Sequence, residues 1–393
     1  MSARPTVKLL PARHRRAQAG HPWIYSNEVA IDPAARAIEP GEVVAVESAG
    51  GEPLGAAFYN PHSLIALRLL GVSAAAPIDA DFLAERLGRA LKLREALYDR
   101  PFYRLAHAEA DRLPGLIADR YGEVVVLQVN AAGMERLIEP LLAALDRILS
   151  PRAVLLRNDG GGRALEQLDD YVRAAKGEFG GPVELEENGL RFHADPAGGQ
   201  KTGWFFDQRE NRRFMQRLAR GRRVLDLYSY AGGFAVAAAA AGAAEVTAVD
   251  RSDVALGLAE RAAQLNGAAV RFVRARVFEE AERLVAAGER FGVVIADPPA
   301  FAKSRKDVPT ALRGYRKLAM LCARLVEPQG FLFLASCSHA VEAERFAEEC
   351  RRGLGEARRG GRLIRAAGAA PDHPVHLHLP ESAYLKALVY QLD

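Results

Sequence analysis

Residues 224–250 read VLDLYSYAGGFAVAAAAAGAAEVTAVD. An apolar run of strand length, residues 224–228, meets the turn Ala231-Gly232-Gly233, and a small-residue helical stretch follows over 234–241. Residues 245–250 then form a second apolar strand that ends in Asp250. The same rhythm continues downstream. A helix is expected over 253–266, closed by Gly267, then a strand at 271–273, a helix around 279–287 and a strand at 293–297. A helix over 310–326 and the strand 331–335 complete the series. Continuous apolar strands alternating with helices are the pattern of a parallel sheet covered on both faces. The fold class is therefore α/β, with a doubly wound sheet in the C-terminal half.

In an open sheet of this kind, ligands lie beyond the carboxyl ends of the strands. The first such end is Asp226-Leu-Tyr-Ser-Tyr-Ala-Gly-Gly233, where Gly232 and Gly233 let backbone approach a ligand closely. The dinucleotide fingerprint G-x-G-x-x-G is absent, which argues against NAD and FAD. Asp250 is the acid expected on a ribose diol, although it could simply cap the next helix. A glycine turn plus a ribose acid, without a pyrophosphate site, fits S-adenosylmethionine. The fourth strand ends in Asp297-Pro298-Pro299-Ala300-Phe301. The prolines stiffen that loop and fix Asp297 at the sheet edge, where its carboxylate can bond the amino edge of a planar base. Phe301 offers a face for stacking on a base, or it packs internally.

Cys337, in Ser336-Cys-Ser-His339, follows an apolar strand and so shares this edge. Free cysteine is usually an inert core residue, and that account suits Cys322 and Cys350, which fall on helices. At a strand end beside a cofactor, a thiolate has a specific use. Added to carbon 6 of a pyrimidine, it makes carbon 5 nucleophilic enough to take a methyl group. A nearby cation such as Lys303 would favour the thiolate.

Upstream, residues 1–75 carry short β-like runs at 41–46 and 64–70, separated by turn signals. Their dense basic cluster Arg13-His-Arg-Arg16 precedes the aromatic segment around Trp23. Residues 76–188 read as an α+β unit. Helical spacing runs over 79–98 and 134–149, a strand pair over 115–119 and 123–129, and further strands lie near 153–157 and 183–190. The third domain is 189–393. The chain of 393 residues is 49% hydrophobic and 26% charged, a globular profile, and no apolar run approaches the roughly 20 residues of a membrane span. The start lacks an apolar leader, so secretion is not expected and the cytoplasm is. Three cysteines form no zinc spacing, and His373, His376 and His378 fit strand or loop alternation better than a metal site. Lys and Arg exceed Asp and Glu by 53 to 49, which permits a polyanionic partner without demanding one.

Several motifs stand in a fixed order: His21-Pro-Trp-Ile-Tyr-Ser26, Lys201-Thr-Gly203 with Asp207-Gln-Arg-Glu-Asn211, Ser229-Tyr-Ala-Gly-Gly-Phe234, Asp297-Pro-Pro-Ala-Phe301, Arg313-Gly-Tyr315, Ser336-Cys-Ser338 and Asp372-His-Pro374. In this the chain resembles the bacterial large-subunit ribosomal RNA cytosine-5 methyltransferases, over essentially its whole length. The resemblance implies an N-terminal PUA-like RNA-binding domain, a central strand–strand–helix–strand–strand domain and a Rossmann-like class I methyltransferase domain. It makes Cys337 the nucleophile and Asp297 the partner of the cytosine, with Pro298, Pro299, Phe301, Lys303, Arg13 and Trp23 towards the RNA. It puts Lys201, Gly203 and Asp207 beside the methionine part of S-adenosylmethionine, Tyr228, Ser229, Tyr230, Gly232 and Gly233 beneath it, and Asp250 on its ribose. Ribosomal RNA is the implied partner, and a homodimer is compatible with the pattern. Two positions depart from related enzymes. Pro299 stands where many RNA cytosine-5 methyltransferases have a second cysteine, and Arg276 stands where an acid usually accepts the adenine amino group. An arginine cannot accept that bond. Methylation of an exocyclic base amine, which needs no thiol, and a non-catalytic RNA-binding assembly factor are the competing expectations.

Overall fold

The computed structural model describes residues 4–393, which form two compact units. Residues up to Pro182 make the first, together with Asp195–Trp204 and Pro371–Ser382; the second takes Val183–Ala194, Phe205–Ala370 and Ala383–Asp393.

The first unit contains two five-stranded sheets. Strands β1 (Thr6–Lys8), β2 (Trp23–Ile24), β3 (Glu42–Glu47), β4 (Pro53–Tyr59) and β5 (Leu67–Leu69) lie in the order β1-β3-β4-β5-β2. Val7, Ile24, Val44, Val46, Tyr59 and Leu67 share their core. Strands β6 (Phe102–His107), β7 (Leu116–Tyr121), β8 (Val124–Val129), β9 (Ala153–Asn158) and β10 (Tyr171–Lys176) follow in the order β10-β9-β8-β7-β6. Helix Ala80–Leu97 begins at Asp79, whose carboxylate accepts from the amides of Asp81 and Phe82. The helix expected over 134–149 is interrupted. Ala132–Glu135 forms one turn, and Ile138–Leu149 starts anew. Pro140 is the reason, because its missing N–H is harmless in a first turn and disruptive further in. Two buried arginines tie the unit together. Arg94 grips Asp111 through bonds of 2.6 and 2.7 Å and also reaches the Asp372 carbonyl, while Arg104 pairs with Asp119. The Asp372 carboxylate in turn accepts the Arg104 amide at 2.9 Å. The Asp372-His-Pro374 motif thereby anchors its own segment.

The second unit opens with the hairpin β11 (Val183–Glu187) and β12 (Leu190–Ala194). Its main sheet comprises β13 (Arg223–Leu227), β14 (Glu245–Asp250), β15 (Arg271–Arg274), β16 (Phe291–Ala296), β17 (Val326–Ser336), β18 (Gly361–Ala367) and β19 (Lys386–Leu392). The order β15-β14-β13-β16-β17-β19-β18 reverses direction at β13 and β16, the topological switch point. Five strands are parallel as expected. The sheet is nonetheless mixed, because β19 runs antiparallel to both β17 and β18. Helices Val277–Ala286, Val308–Leu325 and Ala343–Glu356 contribute to the core on one face, and Arg209–Ala219 with Gly233–Ala240 to that on the other.

Gly353 marks the tightest helix contact of this unit. A Cβ there would stand 2.4 Å from the Arg316 carbonyl oxygen and 2.8 Å from the Ala319 Cβ. Gly353→Ala should cost about 1–3 kcal/mol through overpacking, outweighing its gain in helix propensity. Chemical denaturation should show the unfolding midpoint falling; an unchanged or higher midpoint would contradict this packing.

Candidate cofactor and catalytic site

The loop after β13 turns sharply. Tyr228, Tyr230 and Gly232 adopt φ values of 63°, 48° and 79°. Two of these are non-glycine residues held in the left-handed region, which costs energy and clusters at ligand clamps. At Gly232 the geometry leaves no room for a side chain, since a Cβ would fall 2.8 Å from the Ala259 Cβ. Two carboxylates hold this loop in place. The Asp226 Oδ2 accepts the Ala235 amide at 3.0 Å, and the Asp250 carboxylate accepts the Tyr230 and Ser252 amides, each at 2.9 Å. Asp226 is buried, which pushes its carboxyl well above the usual carboxylate range; the neighbouring charges of Asp297 and Asp250 push it further. Its Oδ1 and the Ser229 Oγ are buried without a hydrogen-bond partner.

At the neighbouring strand end, β16 delivers half-buried Asp297, whose amide reaches the Leu227 carbonyl at 3.4 Å. Pro298 is buried and Pro299 exposed. Phe301 turns inward, stacking on Tyr315 at 4.7 Å between ring centroids, so it packs instead of presenting an open face. The loop is fastened one residue later, where the Ala302 amide donates to the Ser338 Oγ at 3.1 Å. The Tyr315 hydroxyl lies 2.8 Å from that Oγ and accepts from the Ser336 Oγ at 2.9 Å. Cys337 sits between these two buried serines and is itself partly exposed. Cys322 and Cys350 are fully enclosed. Burial pushes the Cys322 thiol up to about 12 and raises that of Cys350 as well, so neither supplies a thiolate near neutrality.

On the other side of the cysteine turn stands Lys386, the first residue of β19, with its ammonium donating to the Ser338 and Val341 carbonyls at 2.7 and 3.0 Å. Tyr384 donates its hydroxyl to the Asp207 carboxylate at 2.5 Å and stacks on His339. Neither Lys386 nor Tyr384 was among the expected site residues. The available signal was a lone lysine within the apolar run Tyr384-Leu-Lys-Ala-Leu-Val-Tyr390.

The structure thus brings together Asp207, Tyr228 to Gly233, Asp250, Asp297, Pro298, Pro299 and Cys337 in the second unit. Arg276 belongs to the same unit but is exposed and paired with Glu279 at 3.4 Å; Lys303 is also exposed. Lys201 and Gly203 belong to the first unit. There the preceding loop is held by Arg157, which donates to the Ala197 and Gly199 carbonyls, and Thr202 bonds Asp119. Arg13 is exposed in the first unit. Trp23 is half-buried, and its indole N–H donates to Glu109 at 2.8 Å. Arg68 joins Glu109 to Glu166 beside it. Among the described residues, no cluster of three or more His, Cys, Asp or Glu could hold a metal, and no helix is long and apolar enough to cross a membrane.

A sheet with this switch point, a strained glycine loop and an acid at the end of its second strand defines a nucleotide-type cofactor enzyme. The match to known families agrees. Residues 165–390 fit the S-adenosylmethionine-dependent methyltransferase model and residues 7–71 a PUA-like domain. The chain belongs to the S-adenosylmethionine-dependent methyltransferase family. Within it, the protein is 36% identical to the ribosomal RNA large subunit methyltransferase I of Erwinia tasmaniensis, over 97% of this chain and 98% of that one. It is 38% identical to a ribosomal RNA large subunit methyltransferase of Deinococcus radiodurans, over 95% and 94%. A structure described as a SAM-dependent methyltransferase from Streptococcus mutans shares the fold, with a TM-score of 0.83 at 19% identity over 98% and 100% of the two chains. A methyltransferase structure complexed with SAH, at 20% identity over 98% and 99%, gives the same TM-score of 0.83.

The residues present fit S-adenosylmethionine. A buried carboxyl with an unpartnered oxygen, crowded by two further acids, is relieved by a ligand bearing an ammonium and a sulfonium. Asp250, at the end of β14, is held by two amides, one on each carboxylate oxygen.

The raised Asp226 carboxyl also makes a stability prediction. Its folded pKa lies above its unfolded value of 3.8. In the window above 3.8 the unfolded chain therefore binds fewer protons, and stability falls as pH rises towards the folded pKa. Asp226→Asn removes that contribution. The difference in melting temperature, variant minus parent, should grow in favour of the variant between pH 4 and pH 8 without cofactor. Parallel melting curves across that range would refute it.

Proposed function

We propose that this enzyme methylates carbon 5 of a cytosine in large-subunit ribosomal RNA through a covalent bond from Cys337 to carbon 6. The observation that carries this is the partly exposed Cys337, set between buried Ser336 and Ser338 and fastened through Ser338 to the Asp297-Pro-Pro loop. The ribosomal RNA relatives and the PUA-like N-terminal match support the substrate. The domain reading 1–75, 76–188 and 189–393 assigns RNA contact to the first, where Arg13 offers an exposed cation.

S-adenosylmethionine, when bound, supplies a methyl carbon attached to a positively charged sulfur. The chain's own groups prepare the acceptor. The Asp297 carboxylate accepts from the amino edge of the cytosine and holds the ring in register with the thiol. The Cys337 thiolate adds to carbon 6, and its electron pair makes carbon 5 an enamine-type nucleophile. After carbon 5 has gained the methyl group, its proton passes to water and the C–S bond breaks, restoring the aromatic ring and the thiolate. A target within a helix must first be extruded, which costs a few kcal/mol. Thr202 and Arg157 hold the loop that carries Lys201 and Gly203. Arg276, exposed and already paired, leaves the adenine to backbone and apolar contacts.

Tritiated cofactor with ribosomal RNA should yield 5-methylcytosine, and Cys337→Ala should reduce product to background while its cofactor affinity stays within about twofold. RNA carrying 5-fluorocytosine should become covalently attached at Cys337. Full activity of the alanine variant, or recovery of methylated guanine or adenine instead, would overturn the assignment in favour of exocyclic amine chemistry. Retained RNA affinity without cofactor binding would indicate an assembly factor.

A further inference from the structure

Lys386 is a charged group that the proposed chemistry has not yet used. It lies at a fixed register position, because β17 and β19 pair antiparallel and Ser336, immediately before Cys337, is the direct partner of Lys386. The side chain is 8% exposed. Among the described residues no carboxylate stands within ion-pair distance of it. Burying an ammonium without a counter-charge is costly, so a lysine kept in this position calls for an anion. Its two hydrogen bonds go to neutral acceptors, the Ser338 and Val341 carbonyls, which bracket the turn leaving Cys337. An ammonium has three protons, and the third has no oxygen acceptor among the described residues.

We propose that Lys386 is a positioning residue whose ammonium pins the 338–341 turn and holds the Cys337 side chain in its thiolate form. This rests on Cys337 being the nucleophile proposed above. The titratable groups gathered at this turn are Cys337 and His339 on the turn itself, Tyr315 from the Val308–Leu325 helix and Tyr384 just before β19. Of these, Cys337 is the one whose charge acts on Lys386. Burial pushes the ammonium down to about 8, and the cysteine charge opposes that shift. The lysine therefore remains mostly protonated at neutral pH. The proton balance is simple: the thiol proton leaves to water, the ammonium keeps its own, and the opposite charges stabilise each other. Above pH 8 Lys386 loses its proton, and its hold on the thiolate ends.

The test reads the thiolate directly. Iodoacetamide alkylation of Cys337 is followed by peptide mass across pH 5.5–10, on the full chain without RNA. In the parent the alkylation midpoint should lie at least a unit below the ordinary thiol value of about 8.5. In Lys386→Gln, which keeps an uncharged amide donor for the turn carbonyls, the midpoint should rise by about one unit and the rate at pH 7 should fall about tenfold. Calorimetric cofactor binding reports whether the variant retains its fold. A parent midpoint at or above 8.5 would overturn the proposal without any variant, as would a Lys386→Gln profile that superimposes on the parent. The two proposals fail separately. Methylation by Cys337→Ala would sink the nucleophile and leave the alkylation result standing; an unshifted alkylation profile would sink the lysine and leave the nucleophile.

Discussion

The hydroxyl of Tyr315 is the junction on which the site depends. Fully enclosed, it lies within hydrogen-bond distance of both Ser336 and Ser338, and Ser338 carries the amide of Ala302. Three chain segments far apart in sequence meet in this one network: the loop after β16, a central helix and the turn after β17. Each buried polar group in it is satisfied, so displacing any one would leave a partner stranded, at about 1–3 kcal/mol. Phe301 stacked on the Tyr315 ring seals the network from below. Cys337 stands between the two serines of this frame and is itself partly exposed.

Charge is divided across the carboxyl edge of the sheet. On the side of β13 and β14, burial and the nearby charges of Asp297 and Asp250 push the Asp226 carboxyl up, and the Asp226 Oδ1 and Ser229 Oγ lack partners. On the side of β17 and β19, the Lys386 ammonium donates to two carbonyl oxygens of the turn that follows Cys337. A cationic cofactor suits the first environment and an anionic nucleophile the second. Both belong to one sheet, the first at the switch point between β13 and β16 and the second two to three strands along from β13, so unlike environments share one edge without a linker.

The parallel half of the sheet was readable because period and composition agree there. Apolar runs of strand length alternate with helices, and the chemistry-bearing residues fall at the ends of those runs. That Asp297 and Cys337 each follow directly on an apolar strand could be read from the same pattern. What escaped has a physical reason in each case. Strand β18 is largely exposed and so lacks an apolar run. The antiparallel placement of β19 depends on pairing across the sheet, which periodicity does not encode. The break before Ile138 required weighing Pro140 against an otherwise unbroken helical pattern. Phe301 could stack on a ligand or on a neighbour with the same sequence signal, and the structure pairs it with Tyr315. Lys386 was invisible as a functional group because its meaning lies in its partner across β17.

That strand arrangement also bears on biosynthesis. Strand β19 sits between β17 and β18, yet it is translated after both. While the polypeptide is still being made, β17 has an open edge and β18 lacks its neighbour in the sheet until residues 386–392 have emerged. The edge of β17, the strand that leads into Cys337, is therefore the last part of the seven-stranded sheet to be closed over.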